Sequence, residues 1–100
     1  MLTRENIITI LKKESGRLKA DFGVKKIALF GSFAGNTQTN DSDVDILVEL
    51  ERPLGLKFLD LVNHLEKLLG RKIDILTRNA LKTLRIKEVA RAIEESLLYV

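Results

Sequence analysis

Asp43 and Asp45 stand two residues apart where a hydrophobic strand begins, in the run GSFAGNTQTNDSDVDILVEL over residues 31–50. Side chains two apart on a strand project to one face. The two carboxylates are therefore adjacent like charges, with Val44, Ile46 and Val48 turned the other way. Such a pair repels unless a proton or a cation lies between its members. Mg²⁺ suits the position: it takes one or two protein carboxylates and leaves its other sites for water and substrate phosphates. Asp74, between Ile73 and Ile75 in KIDIL, adds a third carboxylate on a predicted strand. If that strand lies beside the second, three carboxylates can support two ions about 3.5–4 Å apart and in-line displacement at phosphorus. Asp74 can equally accept or orient the proton of an incoming hydroxyl.

Gly31 and Ser32 precede the acidic pair. Glycine allows a phosphate to approach the backbone closely, and Ser32 offers a hydroxyl and an N–H to phosphate oxygens. A helical turn starting at Ser32 would add free N–H groups to that anion site. The Gly-Lys-Ser/Thr ending of a P-loop is absent.

The elements that must position these groups follow from periodicity. Ile7, Ile8, Leu11, Leu18 and Phe22 recur at helical spacing and predict a helix over 4–22, with Thr3 as N-cap and Gly23 as the residue that ends it. Gly16 lies inside that span and marks a site for a kink. VKKIALFGS reads as a strand with the continuous apolar run of an element covered on both faces, and VDILVEL as a second strand closed by ERPLG. Residues 56–69 carry an apolar stripe of Phe58, Leu61, Val62, Leu65, Leu68 and Leu69, stopped by Gly70. RKIDILT is a third strand, and Asn79 is the expected cap of a last helical region with Ile86, Val89, Ala90, Ile93 and Leu97 in register. LLYV at residues 97–100 reads as a frayed helix end, a short edge strand or a contact surface. The first two strands are close enough to pair antiparallel; the second and third, joined through a helix, suit a parallel crossover. The expected fold is α+β in two layers: a small mixed sheet with helices packed on one face, and a site on the less covered face.

The 100 residues predict one domain over 1–100, with room for one core. A net charge of +3 suits a phosphate-bearing ligand or an acidic partner, but is too small and too spread to predict direct nucleic-acid binding. With no cysteine, thiolate metal sites and disulfides are excluded. No signal peptide or membrane-length apolar run appears, so a cytoplasmic protein with no membrane role is expected. His64 is expected at a helix boundary rather than on a metal. Lys25, Lys26, Arg71 and Lys72 read as solvated strand ends. Arg78, Lys82, Arg85, Lys87 and Arg91 read as a solvated helix face, with an acidic partner or RNA as the other reading. Tyr99 is expected in packing.

Singly, a Gly-Ser pair, an Asp-x-Asp and a strand aspartate each have a bland reading: a turn, a polar strand entry, and an edge charge that blocks aggregation. In this order the stretch GSFAGNTQTNDSDVDILV resembles the signature of the DNA polymerase β-type nucleotidyltransferase superfamily. With SDVDILVEL, GRKIDILTRNAL and IEESLLYV, nearly the whole chain resembles its minimal nucleotidyltransferases, the MNT group. The resemblance implies a nucleotidyltransferase fold, metal binding by Asp43 and Asp45 with Asp74 completing the triad, and a nucleoside triphosphate held at Gly31 and Ser32. It also implies Mg²⁺, with two ions, and ATP as substrate. The implied partner is a HEPN-domain ribonuclease toxin in a hetero-oligomer, neutralised by transfer of AMP to its tyrosine. Many relatives read Gly-Ser-x-Ala-Arg-Gly; here Gly35 and Asn36 stand in place of the arginine and glycine. That departure favours a second reading, a binding module that inhibits its partner by occlusion.

Overall fold

The computed structural model describes residues 2–100. Helix α1, Arg4–Phe22, opens with a capping box: Asn6 N–H donates to Thr3 Oγ1 (3.1 Å) and Thr3 N–H donates to Asn6 Oδ1 (3.3 Å). It closes at Gly23, whose φ of 67° is left-handed. The helix runs through Gly16 without interruption. A Cβ there would meet nothing within 4 Å, so the glycine serves no packing need.

Strand β1 is Val24–Phe30 and β2 is Val44–Leu50; they pair antiparallel, with Phe30 opposite Asp45. Between them the chain makes a short helix, α2, Gly31–Ala34. Helix α3, Lys57–Leu69, returns the chain to β3, Ile73–Thr77, which lies parallel to β2 with Asp74 opposite Asp45. The sheet order is β3-β2-β1-β4, where β4 (Leu98–Tyr99) pairs antiparallel with β1. LLYV therefore resolves as an edge strand.

Ile7, Leu11 and Leu18 of α1 and Leu61, Leu65 and Leu69 of α3 bury their stripes against Ile27, Leu29, Val44, Ile46 and Val48. Each such side chain removed from water contributes about 1.5–3 kcal/mol, which makes this one-sided layer the main source of stability. The opposite sheet face has lighter cover. Helix α5, Lys87–Ser96, contributes no buried residue there or elsewhere.

The predicted cap at Asn79 is corrected by the structure. Asn79 lies inside α4, Arg78–Lys82, and the cap is Thr77, whose Oγ1 accepts from Ala80 N–H at 3.0 Å. Thr77 ends β3 in extended conformation, the backbone an N-cap requires. Thr77→Ala is expected to cost about 1 kcal/mol in a denaturant melt, whereas Asn79→Ala should be silent.

Candidate active site

Asp45 is the second residue of the inner strand β2, on the face opposite the α1–α3 layer. It has Phe30 on one side and Asp74 on the other, each directly opposite in register. Parallel neighbours in register point to the same face, so the carboxyls of Asp45 and Asp74 share it. Asp43 lies in the segment immediately before β2. Burial, then the Asp74 and Asp43 carboxylates, hold the Asp45 carboxyl above its ordinary pKa. Adjacent like charges with no cation between them have this effect.

Gly31 begins α2 with φ of 70°, and a Cβ built on it would lie 2.1 Å from Asp45 Oδ2. The carboxylate therefore occupies the space that a side chain at residue 31 would take. Ser32 follows, half-buried, in a helix whose first N–H groups have no side-chain cap. Thr37 N–H donates to Ser32 O at 2.8 Å and folds the following loop back on α2. Gly35 adopts ordinary right-handed geometry, and a Cβ there would meet nothing closer than 3.7 Å. The backbone does not demand glycine at the position where the resemblance expects arginine.

The donor set fits a hard divalent cation: carboxylate oxygens on one face, one of them destabilised in its ionised form, over a glycine cradle. The fit is in chemistry rather than in a closed shell. Among the described residues, no three acidic, histidine or cysteine side chains are gathered tightly enough to hold one ion as they lie. A cavity of about 690 Å³ lies elsewhere, between the 51–55 loop, Phe58 and the far ends of β2 and β3. It contains none of the five predicted site residues. On the carboxylate face Asp43 and Asp45 are half-buried and Asp74 is exposed.

His64 lies at a helix boundary as expected, whereas Arg78, Tyr99 and Arg71 have roles the sequence did not show. His64 is half-buried, its Nε2 3.7 Å from Glu14 Oε2 and its ring 5.8 Å from that of Phe22, at the α1–α3 boundary. Arg78 corrects the reading of a wholly solvated basic face. Its side chain is 19% exposed and joins Glu49 of β2, Glu94 of α5 and the Tyr99 hydroxyl. Tyr99, expected in packing, is 47% exposed and also lies beneath Lys26 Nζ, 6.0 Å from its ring centroid. Arg71, read as a solvated strand end, is half-buried and donates through Nη1 to Ser42 O at 2.8 Å. Its position just after Gly70 and three residues before Asp74 was the available signal, but the carbonyl it meets is 29 residues away in the chain.

A mixed four-stranded sheet with paired aspartates facing a Gly-Ser turn defines a nucleotidyl-transfer architecture. The chain belongs to the nucleotidyltransferase domain family, which matches residues 6–100, and to its minimal, MNT-type members. The enzyme class is accordingly nucleotidyltransferase. Among its relatives, the Methanocaldococcus jannaschii protein MJ0128, provisionally named a protein adenylyltransferase, is 48% identical over the full length of both chains. Protein adenylyltransferase MntA of Thermococcus cleftensis is 43% identical over 93% of this chain and 95% of its own. In three dimensions, a solved structure described as a candidate minimal nucleotidyltransferase superposes with a TM-score of 0.75 at 26% identity, covering 97% of this chain and 95% of the other. A chain of a toxin–antitoxin structure with AMP-PNP shares the fold, with a TM-score of 0.64 at 22% identity over 98% of this chain and 72% of the other.

Proposed function

We propose that this protein is an antitoxin that transfers AMP from ATP to a tyrosine hydroxyl of a HEPN-domain toxin in the cytoplasm. The observation that carries the reading is Asp45 set beside Asp74 in parallel register, directly over Gly31. The names of the relatives support protein adenylylation as the activity. The shared fold with a chain of a toxin–antitoxin assembly agrees with the partner class.

Asp43, Asp45 and Asp74 would hold the divalent ions, and Gly31 and Ser32 the triphosphate. Bound Mg²⁺ would supply charge neutralisation at the phosphates. The acceptor oxygen forms a bond to the α-phosphorus, the bond from that phosphorus to the bridging oxygen breaks, and pyrophosphate leaves. Asp74, the most exposed of the triad on an edge strand, faces the incoming hydroxyl and takes or orients its proton. Gly31, lacking a Cβ, lets the Asp45 carboxylate lie against the backbone of the turn that would hold the phosphates. The exposure of Asp74 on the edge strand leaves it within reach of a macromolecular acceptor, which would itself exclude water from the site.

The test is the intact mass of the partner after incubation with this protein, Mg²⁺ and ATP. One or more added AMP units are expected with the wild type and none with Asp43→Asn. A second reading, inhibition by occlusion, is favoured by Gly35, where a side chain would fit but the expected arginine is missing. An unmodified partner that Asp43→Asn still neutralises would establish occlusion instead.

A further inference from the structure

The loop over residues 35–43 joins α2 to β2 and ends at Asp43. Most of its bonds are internal or return to α2. Ser42 N–H donates to Thr39 O at 3.2 Å, and Thr39 N–H donates to Ser42 Oγ at 2.9 Å. Asp41 N–H reaches Thr39 Oγ1 at 3.3 Å. These bonds give residues 39–42 a shape but do not fix that shape to the sheet.

Val44 N–H donates to Lys72 O at 3.1 Å and ties down the peptide after Asp43; the contact that ties down the peptide before it comes from Arg71. Its Nη1 donates to Ser42 O at 2.8 Å and lies 3.5 Å from Thr39 O. The guanidinium also sits 5.6 Å from the ring centroid of Phe33, which is buried in the core at 1% exposure and adjoins Ser32. Ser42 O belongs to the peptide whose N–H is that of Asp43, so holding this carbonyl sets the direction in which Asp43 leaves the backbone. Arg71 also stands three residues before Asp74, in the bend that leads into β3. One planar cation thus joins the turn carrying Ser32, the loop delivering Asp43 and the strand carrying Asp74.

We infer that Arg71 is a positioning residue for the metal-binding carboxylates, acting through the Ser42 carbonyl on Asp43. This inference rests on the nucleotidyl-transfer reading of that carboxylate site. The side chain suits the task because one terminal nitrogen, Nη1, reaches both carbonyls while the guanidinium carbon stays within 5.6 Å of an aromatic centroid; an ammonium is a compact, strongly hydrated point charge less suited to that part-buried place. Groups that orient metal ligands from behind typically change metal affinity 10–100-fold.

The experiment compares wild type, Arg71→Lys and Arg71→Ala by calorimetric titration with Mn²⁺ in the presence of a non-hydrolysable ATP analogue. The same analogue is then titrated without divalent ion. Amide hydrogen exchange is measured on the ligand-free proteins. For Arg71→Ala, Mn²⁺ affinity is expected to fall at least tenfold, while metal-free analogue affinity changes less than about threefold. Arg71→Lys should lie between the two. Exchange should accelerate at least about tenfold at the amides of residues 39–44 and stay unchanged in α3. Unchanged Mn²⁺ affinity, an equal loss of both affinities, or acceleration spread across α3 would each overturn the inference. If the wild type binds neither Mn²⁺ nor the analogue, the nucleotidyl-transfer reading fails. The exchange pattern then decides whether Arg71 holds the loop, with equal rates in wild type and Arg71→Ala counting against it.

Discussion

Asp45→Asn is expected to stabilise the ligand-free protein at neutral pH while abolishing its response to Mg²⁺ and ATP. In the fold, burial and the Asp74 and Asp43 carboxylates raise the Asp45 pKa. The native state therefore holds this proton more tightly than the unfolded chain. Stability from that proton is fully present below the unfolded carboxyl range and is lost as pH rises through the folded pKa. Above its folded pKa the wild type bears the penalty of an ionised Asp45, which asparagine removes. Interactions between partly exposed charges stay within about 1 kcal/mol, so the gain in Tm is at most roughly 4–8 °C for a chain of this size. The advantage of Asp45→Asn should shrink as the pH is lowered through the carboxyl range.

With ligand the order reverses. A ligand at one hundred times its Kd stabilises the native state by about 2.7 kcal/mol. That corresponds to roughly 10–20 °C in Tm for a domain this small. The wild type should show a shift of this size with Mg²⁺ and ATP, and Asp45→Asn should show almost none. Transfer activity should fall by at least about a hundredfold, the scale of losing one charge-stabilising group at a reacting centre. Thermal melts across pH 4–8, with and without ligand, check both halves. Equal ligand-induced shifts in the two proteins would remove Asp45 from the site.

Gly31→Ala is expected to damage function more than stability. Its φ of 70° is costly for any residue with a Cβ, by about 1–2 kcal/mol. The new methyl group would also stand 2.1 Å from Asp45 Oδ2 and 3.0 Å from Asp45 Cγ. Rotation of the Asp45 side chain relieves that overlap at modest energetic cost but carries the carboxylate away from Asp74. Since a displacement near 1 Å at a reacting centre can cost about a hundredfold, activity should fall on that scale while Tm falls by only several degrees. Gly35→Ala is the control: its backbone is right-handed and the added methyl makes ordinary contacts, so stability should change within about 0.5 kcal/mol. A Gly31→Ala protein as active as the wild type would separate Gly31 from the chemistry.

Much of this site was legible before any coordinates. The two-residue spacing of Asp43 and Asp45, the stop at Gly70 and the cap at Thr3 depend on backbone periodicity and on partners three or four residues away. Such features are local and can be read along the chain. The same logic failed where two local signals competed, as at the start of α4. Thr77 and Asn79 are both good caps, and the choice depended on where β3 ended its pairing with β2.

The cations were the least legible group. Arg71 and Arg78 are long, flexible side chains in a polar sequence context, which normally means solvent. Arg71 instead reaches carbonyls 29 and 32 residues away in the chain, and Arg78 meets carboxylates of β2 and α5. One aspartate at the entry of β2 and another inside it, and the helices that back that strand, follow from the order of residues alone because alternation and capping are short-range physics. Whether a third aspartate stands beside them depended on β3 docking parallel to β2 in the one register that sets Asp74 against Asp45. Only packing of α3 across the sheet could decide that, since a shift by one residue would have turned Asp74 to the opposite face.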